Sequence, residues 1–228
     1  MKKIHIISII FLIIFTMTAL ASKPDQHSTK PITEPVAWKL SKLTGKPSDG
    51  IILKGQPLTV KCKYGKAVSF NGSTDAIFID SNPINGLNQF TVELIFQPAS
   101  GGNFEQRFVH MGEIQGSRLL LELRATKTDW YFDAFVKSGD QQVTLIKPEL
   151  LHPLDKWYHI ACVMNNGKFE TYINGIKELE GKINFTPLGE GKTSVGVRQN
   201  EVSWFKGNIY MIRITPKALD QKDFLKYQ

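Results

Sequence analysis

The sequence predicts an all-β protein built as a two-sheet antiparallel sandwich, with a short helix only at the C-terminus. Apolar and polar residues alternate along many short segments, and Asn-Gly pairs join neighbouring segments near the middle of the chain. With 228 residues, 42% of them hydrophobic, the chain can bury one sizeable core. Charged residues make up only 21%, which argues against extensive disorder.

The alternation is clearest in residues 90–96, 119–124 and 130–136. In the last of these, Trp130 and Phe132 share the face predicted to meet the core, and Tyr131 and Asp133 share the other face. Only residues 125–129 separate the second and third segments. We therefore predict that they form an antiparallel pair of strands.

Two Asn-Gly turns predict a three-stranded meander. Asn166-Gly167 joins residues 157–164 to 169–173, and Asn174-Gly175 continues into residues 176–179. Two-residue hairpin turns need positive φ angles, which Asn and Gly tolerate. At the C-terminus, Asp220 and Asp223 precede Phe224 and Leu225, a pattern that resembles a short capped helix.

The N-terminal residues have the pattern of an export signal. A basic start, an apolar run over residues 6–15 and the small-residue motif ALA at 19–21 predict a signal peptide over residues 1–21. Its removal takes away two lysines and no acid, so the formal charge falls from +7 to +5. Residues 22–35 are rich in proline and poor in apolar residues, which indicates a flexible leader. One domain, residues 36–228, follows, and we expect a secreted, periplasmic or surface-associated product without a stable membrane span.

Five blocks stand in order along this domain: GKAVSFNG (65–72), FTVE (90–93), WYHIA (157–161), YING (172–175) and FKGNI (205–209). Their order resembles the concanavalin-A-like jelly roll of the laminin-G/pentraxin type, as found in secreted bacterial proteins. The resemblance covers about residues 36–225 and implies a jelly-roll sandwich. It also implies a domain that binds glycans or proteins outside cells. Because the wider superfamily contains glycoside hydrolases and polysaccharide lyases, catalysis has to be weighed separately.

The carboxylates do not follow a hydrolase pattern. No E-x-D-x-E segment places acids at alternate positions of one strand, and no Gln-x-His supports a lyase. If the protein is an enzyme, the residues predicted to share one strand face are Glu122, Arg124, Tyr131 and Asp133. His159 lies inside an apolar strand and is expected to be a core histidine.

The family resemblance also implies the possibility of a calcium site, because some members of the family bind calcium at the rim of the sandwich. In this chain Ile209-Tyr210-Met211 stands where the family pattern carries two acids. The remaining oxygen donors are Asn71, Asp75 and Asp80. Calcium takes 6–8 oxygen ligands, so we do not expect a tight site or an obligatory cofactor.

A glycan binder needs an exposed aromatic ring beside polar groups. Trp204, with Asn200 and Glu201 next to it, and Tyr131 on an outward-facing strand position are the predicted ligand-binding residues. Trp38, Trp157 and Phe205 fall at positions that the family fills with core residues, so we expect them to be buried.

The two cysteines, Cys62 and Cys162, leave two alternatives open: one disulfide in an exported protein, or free thiols. The lysines are scattered and form no run, and no nucleic-acid motif is present, so we expect no nucleic-acid partner. The sequence favours a secreted, non-catalytic module that binds carbohydrate or a cell-surface ligand. The alternatives are a polysaccharide-cleaving enzyme on the same fold and a protein-adhesion domain.

Overall fold

The computed structural model describes residues 30–45 and 49–226 and confirms the all-β sandwich. Two antiparallel sheets of eight strands each enclose one hydrophobic core. The strands in chain order are β1 (Val36–Lys39), β2 (Ile51–Lys54), β3 (Leu58–Cys62), β4 (Gly65–Asn71), β5 (Ala76–Ile79), β6 (Gln89–Pro98), β7 (Glu105–Gly112), β8 (Arg118–Ala125), β9 (Asp129–Ser138), β10 (Gln141–Ile146), β11 (His152–Pro153), β12 (Tyr158–Asn165), β13 (Lys168–Ile173), β14 (Ile176–Lys182), β15 (Lys192–Val195) and β16 (Lys206–Thr215).

The strands are divided between the sheets in the crossed order expected of a jelly roll. Sheet 1 has the order β14-β13-β12-β6-β16-β4-β3, with β1 paired to the second half of β16. Sheet 2 has the order β10-β9-β8-β7-β15-β5-β2, with β11 beside β9. Strands that are neighbours in the chain often lie in different sheets, so the connections wrap around the core.

An aromatic cluster joins the two sheets. The ring of Phe96 in sheet 1 lies 5.0 Å from that of Phe108 and 5.2 Å from that of Trp130, both in sheet 2. Phe205, just before β16, lies 6.2 Å from Phe96 and 5.8 Å from Phe108. All four side chains are fully buried. Each such ring pair contributes about 0.5–1.5 kcal/mol beyond its buried area, so the cluster adds to the attraction that apolar burial produces between the sheets.

The predicted hairpins are confirmed. In the first turn of the meander φ is 47° at Asn166 and 91° at Gly167, and in the second it is 51° at Asn174 and 78° at Gly175. Both central residues therefore have the positive φ that two-residue hairpins require. The turns join β12 to β13 and β13 to β14.

The predicted pair over residues 118–138 is confirmed as β8 and β9. Leu121 faces Ala134 in the core, whereas Glu122 faces Asp133, and Arg124 faces Tyr131, on the outer side. Strand periodicity alone thus sorted these side chains correctly between the two faces.

The C-terminus differs from the prediction. The expected helix is a single 3-10 turn, Gln221–Asp223, and the Asp220 side chain makes no capping hydrogen bond. The chain then follows the outer surface of sheet 1, because the Leu225 N–H donates to Oε1 of Glu93 at 2.7 Å. A one-turn helix, α1 (Leu40–Leu43), was not predicted.

The C-terminal segment covers the buried carboxylate of Glu93 and its partners. Phe224 packs on His159 and Tyr172, with ring separations of 5.8 and 5.1 Å. Beneath it, Glu93 accepts a hydrogen bond from Arg213 Nε at 2.6 Å and pairs with His159 Nε2 at 3.0 Å. Both Glu93 and His159 are fully buried, but His159 lies on the outer face of sheet 1 under the C-terminal segment and not in the core predicted for it. A buried carboxylate requires such partners, since an unpaired charge in the interior is very costly.

The cysteines are free thiols. Cys62 on β3 and Cys162 on β12 are separated by three strands of sheet 1, which is about 19 Å at the usual strand spacing. A disulfide needs Cα atoms within about 7 Å, so the fold decides between the two alternatives. Burial raises the pKa of the Cys162 thiol, which keeps it protonated.

The predicted signal peptide, residues 1–21, and most of the leader lie outside the described residues. At the end of the leader, Ile32 packs against the core. Within residues 30–45 and 49–226, no helix is long and apolar enough to span a membrane.

Truncation of Phe224 tests whether the C-terminal segment is a structural cover. Phe224→Ala is expected to lower the free energy of unfolding by about 2–4 kcal/mol, because the side chain is only 5% exposed and its removal opens the polar group beneath it. Guanidinium denaturation measures this. Phe104→Ala is the control: Phe104 is 59% exposed, and its truncation should change stability by less than about 0.5 kcal/mol. Equal effects of the two substitutions would contradict the assignment.

Candidate functional site

One loop, residues 196–204, crosses the outer face of sheet 2; we call it the dividing loop. The Gly196 N–H donates to the Phe108 carbonyl at 3.0 Å, and the Arg107 N–H donates to the Ser203 carbonyl at 2.8 Å. Between these points the Gln199 N–H donates to Nδ1 of His110 at 3.2 Å. The loop therefore lies over β7 and leaves a cavity on either side of it.

Unusual backbone angles allow the loop to lie so close to the sheet. Gly196 has a φ of 88°, and a Cβ atom there would overlap the ring of Phe70. Glu201 and Ser203 also have positive φ, at 62° and 58°. Only glycine fits the first position, because it combines a left-handed conformation with direct contact to the core.

The dividing loop carries three of the four predicted ligand-binding residues. Asn200 and Glu201 are exposed, and Glu201 forms an ion pair with Lys54 of β2. Trp204 is half-buried and lines neither of the cavities beside the loop. Tyr131, expected to be exposed, lies on the outer side of sheet 2 but is buried.

The larger cavity, which we call the hollow, lies between the dividing loop and the edge of sheet 2. Its volume is about 580 Å³. Ile52 and Phe78, opposite each other on β2 and β5, form an apolar floor, and Ile52 is 68% exposed. Two ion pairs stand at its rim: Lys54 with Glu201, and Lys192 with Asp80 at 2.9 Å.

The smaller cavity, which we call the charged cleft, has a volume of about 200 Å³ and lies over β7 to β10. It holds three of the four residues predicted for an enzyme: Glu122, Arg124 and Asp133. The full lining is Arg107, Arg118, Leu120, Glu122, Arg124, Asp133, Phe135, Thr144 and Arg198. The structure thus brings the candidate catalytic residues and the candidate binding loop to the same face of one sheet.

Ion pairs hold both carboxylates of the cleft. Arg124 contacts Glu122 at 3.2 Å and Asp133 at 2.5 Å. Arg107 contacts Glu122 at 3.1 Å and also pairs with Glu105. Glu122 and Asp133 are each only 3% exposed.

Asp133 and His110 have perturbed protonation equilibria. Burial, reinforced by the neighbouring Glu122 charge, raises the pKa of Asp133 to about 6, and its buried Oδ1 atom has no hydrogen-bond partner in the described part of the chain. Burial lowers the pKa of His110 to about 4. His110 lies beneath the dividing loop, where Nε2 bonds the Glu113 carbonyl at 2.9 Å. At neutral pH we expect an uncharged His110 and an ionised Asp133.

The candidate calcium ligands are occupied by protein groups. Asp75 accepts hydrogen bonds from the Gln56 N–H at 2.9 Å and the Asn71 N–H at 3.1 Å. The Asn71 side chain accepts from the N–H groups of Ser73, Thr74 and Asp75, and Asp80 pairs with Lys192. Among the described residues there is no group of three or more His, Cys, Asp or Glu side chains placed to hold a metal ion.

Several features were not found from the sequence. Trp157, expected in the core, is half-buried and contacts Tyr64 edge-on at 5.5 Å, while Tyr64 lies 5.5 Å from Tyr210. The signal was available: Tyr158 faces the core, so its neighbour must face outward. Arg118 shares the outward parity of Arg124 and was also identifiable. Arg198 comes from a distant loop, and no local pattern marks it.

The shifted pKa values predict opposite pH effects on stability. A raised carboxyl pKa makes the free energy of unfolding fall as pH rises from about 4 to 6, whereas a lowered histidine pKa makes it rise over the same range. The free energy of unfolding of Asp133→Asn minus that of the wild type should therefore increase with pH, by up to about 1 kcal/mol per pH unit. The corresponding difference for His110→Gln should decrease with pH. Urea denaturation between pH 4 and 7 measures both differences. Differences that do not change with pH would contradict the prediction.

The comparisons with known proteins agree with this fold. The chain is similar to domain 4 of AbnA, a GH43 extracellular arabinanase from Geobacillus stearothermophilus solved in complex with arabinotriose, at 24% identity and a TM-score of 0.57 over 74% of this chain and 79% of that one. It is similar to the native heptameric SAP-like pentraxin from Limulus polyphemus at 16% identity and a TM-score of 0.54, over 68% and 77% of the two chains.

A third similar structure is the botulinum neurotoxin serotype D binding domain, at 18% identity and a TM-score of 0.58, over 76% of this chain but only 44% of the toxin chain. No curated protein sequence matches the chain. The model of the concanavalin A-like lectin/glucanases superfamily matches residues 71–223, more than half of the chain. By this match, and by its two-sheet jelly roll, the chain belongs to the concanavalin A-like lectin/glucanases superfamily.

Proposed function

We propose that the protein is a secreted, non-catalytic carbohydrate-binding module whose ligand lies in the hollow on the outer face of sheet 2. The observation that carries the proposal is the combination of an apolar floor with a charged rim in a cavity of about 580 Å³. Small-molecule sites in proteins fall between about 300 and 1,000 Å³ and are mostly apolar with a few polar groups. A sugar ring has the matching surface: an apolar C–H face and a hydroxyl-bearing edge.

The rim groups are available to a ligand. The pairs of Lys54 with Glu201 and of Lys192 with Asp80 join exposed side chains. Surface ion pairs contribute only about 0–1 kcal/mol, so sugar hydroxyls can replace one partner at small cost. Glu201 is also one of the residues that the sequence predicted for binding.

The comparisons support the class of ligand. The arabinanase domain similar to this chain was solved in complex with arabinotriose. At 24% identity the likeness establishes the fold alone, so the transfer of carbohydrate binding to this chain is part of the proposal. Export rests on the predicted signal peptide of residues 1–21.

Catalysis on this face is the second candidate, and one observation favours it. Asp133, with a pKa raised to about 6, lies beside Glu122, and glycosidases use such a pair of carboxyl groups as general acid and nucleophile. Against it, Arg124 binds both groups and each is only 3% exposed. Carboxylates that are already neutralised and covered cannot approach a scissile bond, so we favour binding over cleavage.

An aspartate in the floor of the hollow tests the binding site. Ile52→Asp is expected to weaken retention on a glycan array of neutral and acidic oligosaccharides at least tenfold, because it places a charge against the apolar face of the sugar. Ile176→Asp is the matched control, since Ile176 is 70% exposed in sheet 1 and lies far from the hollow. Equal retention by both variants would contradict the proposed site. If the wild type retains no glycan, a protein-adhesion domain becomes the better account.

A reducing-end assay tests the absence of catalysis. The wild type is expected to release no product from neutral or acidic polysaccharides, because Arg124 holds both carboxyl groups of the cleft. Product release that disappears in Asp133→Asn and in Tyr131→Phe would show that the protein is an enzyme. Release that survives both substitutions would point to a contaminating activity.

A further inference from the structure

Two arginines of the charged cleft have no acidic partner among the residues that the structure describes. Arg107 and Arg124 pair with Glu105, Glu122 and Asp133. Within residues 30–45 and 49–226, no carboxylate lies within ion-pair distance of the two other arginines that line the cleft, Arg118 and Arg198. The cleft therefore holds a local excess of positive charge.

Both guanidinium groups are held in place by the protein. Nη1 of Arg118 donates to the carbonyls of Gln115 and Gly116 at 2.8 and 2.7 Å, and its guanidinium carbon lies 4.9 Å from the ring centre of Phe135. Nη2 of Arg198 donates to the Ile114 carbonyl at 3.1 Å. The two side chains are thereby oriented before any ligand arrives, which lowers the entropic cost of binding.

Each guanidinium retains unused donors. In the described part of the chain, the Nε atoms of Arg118 and Arg198 are buried without a hydrogen-bond partner. Nη2 of Arg118 and Nη1 of Arg198 likewise have no partner among these residues. The buried Nε atoms are out of a ligand's reach, whereas these two Nη groups remain accessible, so an anionic acceptor in the cleft can pair with them.

The repulsion between the two arginines also favours a bound anion. Burial, and then the adjacent charge of Arg198, hold the pKa of Arg118 below its ordinary value. Two cations that repel each other in a partly desolvated cleft are stabilised by a shared anion. Glu122 and Asp133 do not take this role, because Arg107 and Arg124 already neutralise them.

We infer that Arg118 and Arg198 bind the anionic group of an acidic sugar, either a carboxylate or a sulfate ester. The inference rests on the proposed carbohydrate-binding function and names its ligand class. Guanidinium groups match both anions with paired, charge-assisted hydrogen bonds. The cleft, at about 200 Å³, is smaller than an ordinary ligand pocket of about 300 Å³ or more, so it fits one acidic group rather than a whole sugar.

Calorimetric titration of the full mature protein with matched oligosaccharides tests the inference. The probes are a uronate oligosaccharide and its carboxyl-reduced form, and a sulfated oligosaccharide and its desulfated form. One acidic form should bind at least tenfold more tightly than its neutral partner, and which pair shows the difference identifies the anion. Arg198→Gln and Arg118→Gln should each remove that preference and leave the neutral form unaffected.

The controls separate charge, geometry and folding. Lys61→Gln removes one exposed cation from sheet 1 and should leave the preference intact. Arg198→Lys keeps the charge but not the paired donors, so it should lose most of the preference while still folding. Circular dichroism confirms the fold of each variant.

Each outcome of the titration decides the inference. Neutral and acidic forms bound equally by the wild type would overturn the inference and leave carbohydrate binding standing. A preference that survives in the Arg118 and Arg198 variants would overturn it as well. Binding of no oligosaccharide would overturn both the inference and the proposed function.

Discussion

The contact between the two sheets through the rings around Phe96 is the interaction on which the other features depend. Phe96 and Tyr158 come from sheet 1, and Phe108 and Trp130 from sheet 2. Because side chains alternate along a strand, each ring committed to this core commits its neighbours to the outer face. Because Trp130 and Phe132 face the core, Tyr131 and Asp133 must face outward. The charged face of sheet 2 is a geometric consequence of the core.

The dividing loop shows how the same core builds a site. Gly196 contacts Phe70, a core ring, and the loop then crosses the outside of β7 above the buried His110. Its close approach requires a glycine, and its hydrogen bonds to β7 fix its position. A face that would otherwise be an open sheet is thereby divided into an apolar hollow and a charged cleft. The two cavities differ in character: the hollow has an apolar floor, whereas arginines and carboxylates line the cleft.

Much of the fold could be predicted, because its signals are local. Alternation predicted β6, β8 and β9, and the Asn-Gly pairs predicted the meander of β12 to β14. The C-terminal helix is present but shorter than the sequence indicates: it is a single 3-10 turn without a side-chain cap, because the chain there follows the surface of sheet 1. Exposure was also misjudged: parity placed Tyr131 outside, but parity does not reveal what covers an outer face.

The sequence by itself determined the fold class, the strand pairs of its hairpins and the faces of the residues in β6, β8 and β9, since these follow from periods and turns of a few residues. Only the tertiary structure decided that Cys62 and Cys162 lie far apart and that Asp75 accepts hydrogen bonds from nearby backbone N–H groups. It also decided that Arg198 lies in the same cleft as Arg118. Those relations connect residues from distant strands and loops. Their distances depend on how the sheets are ordered and packed, which no local pattern encodes.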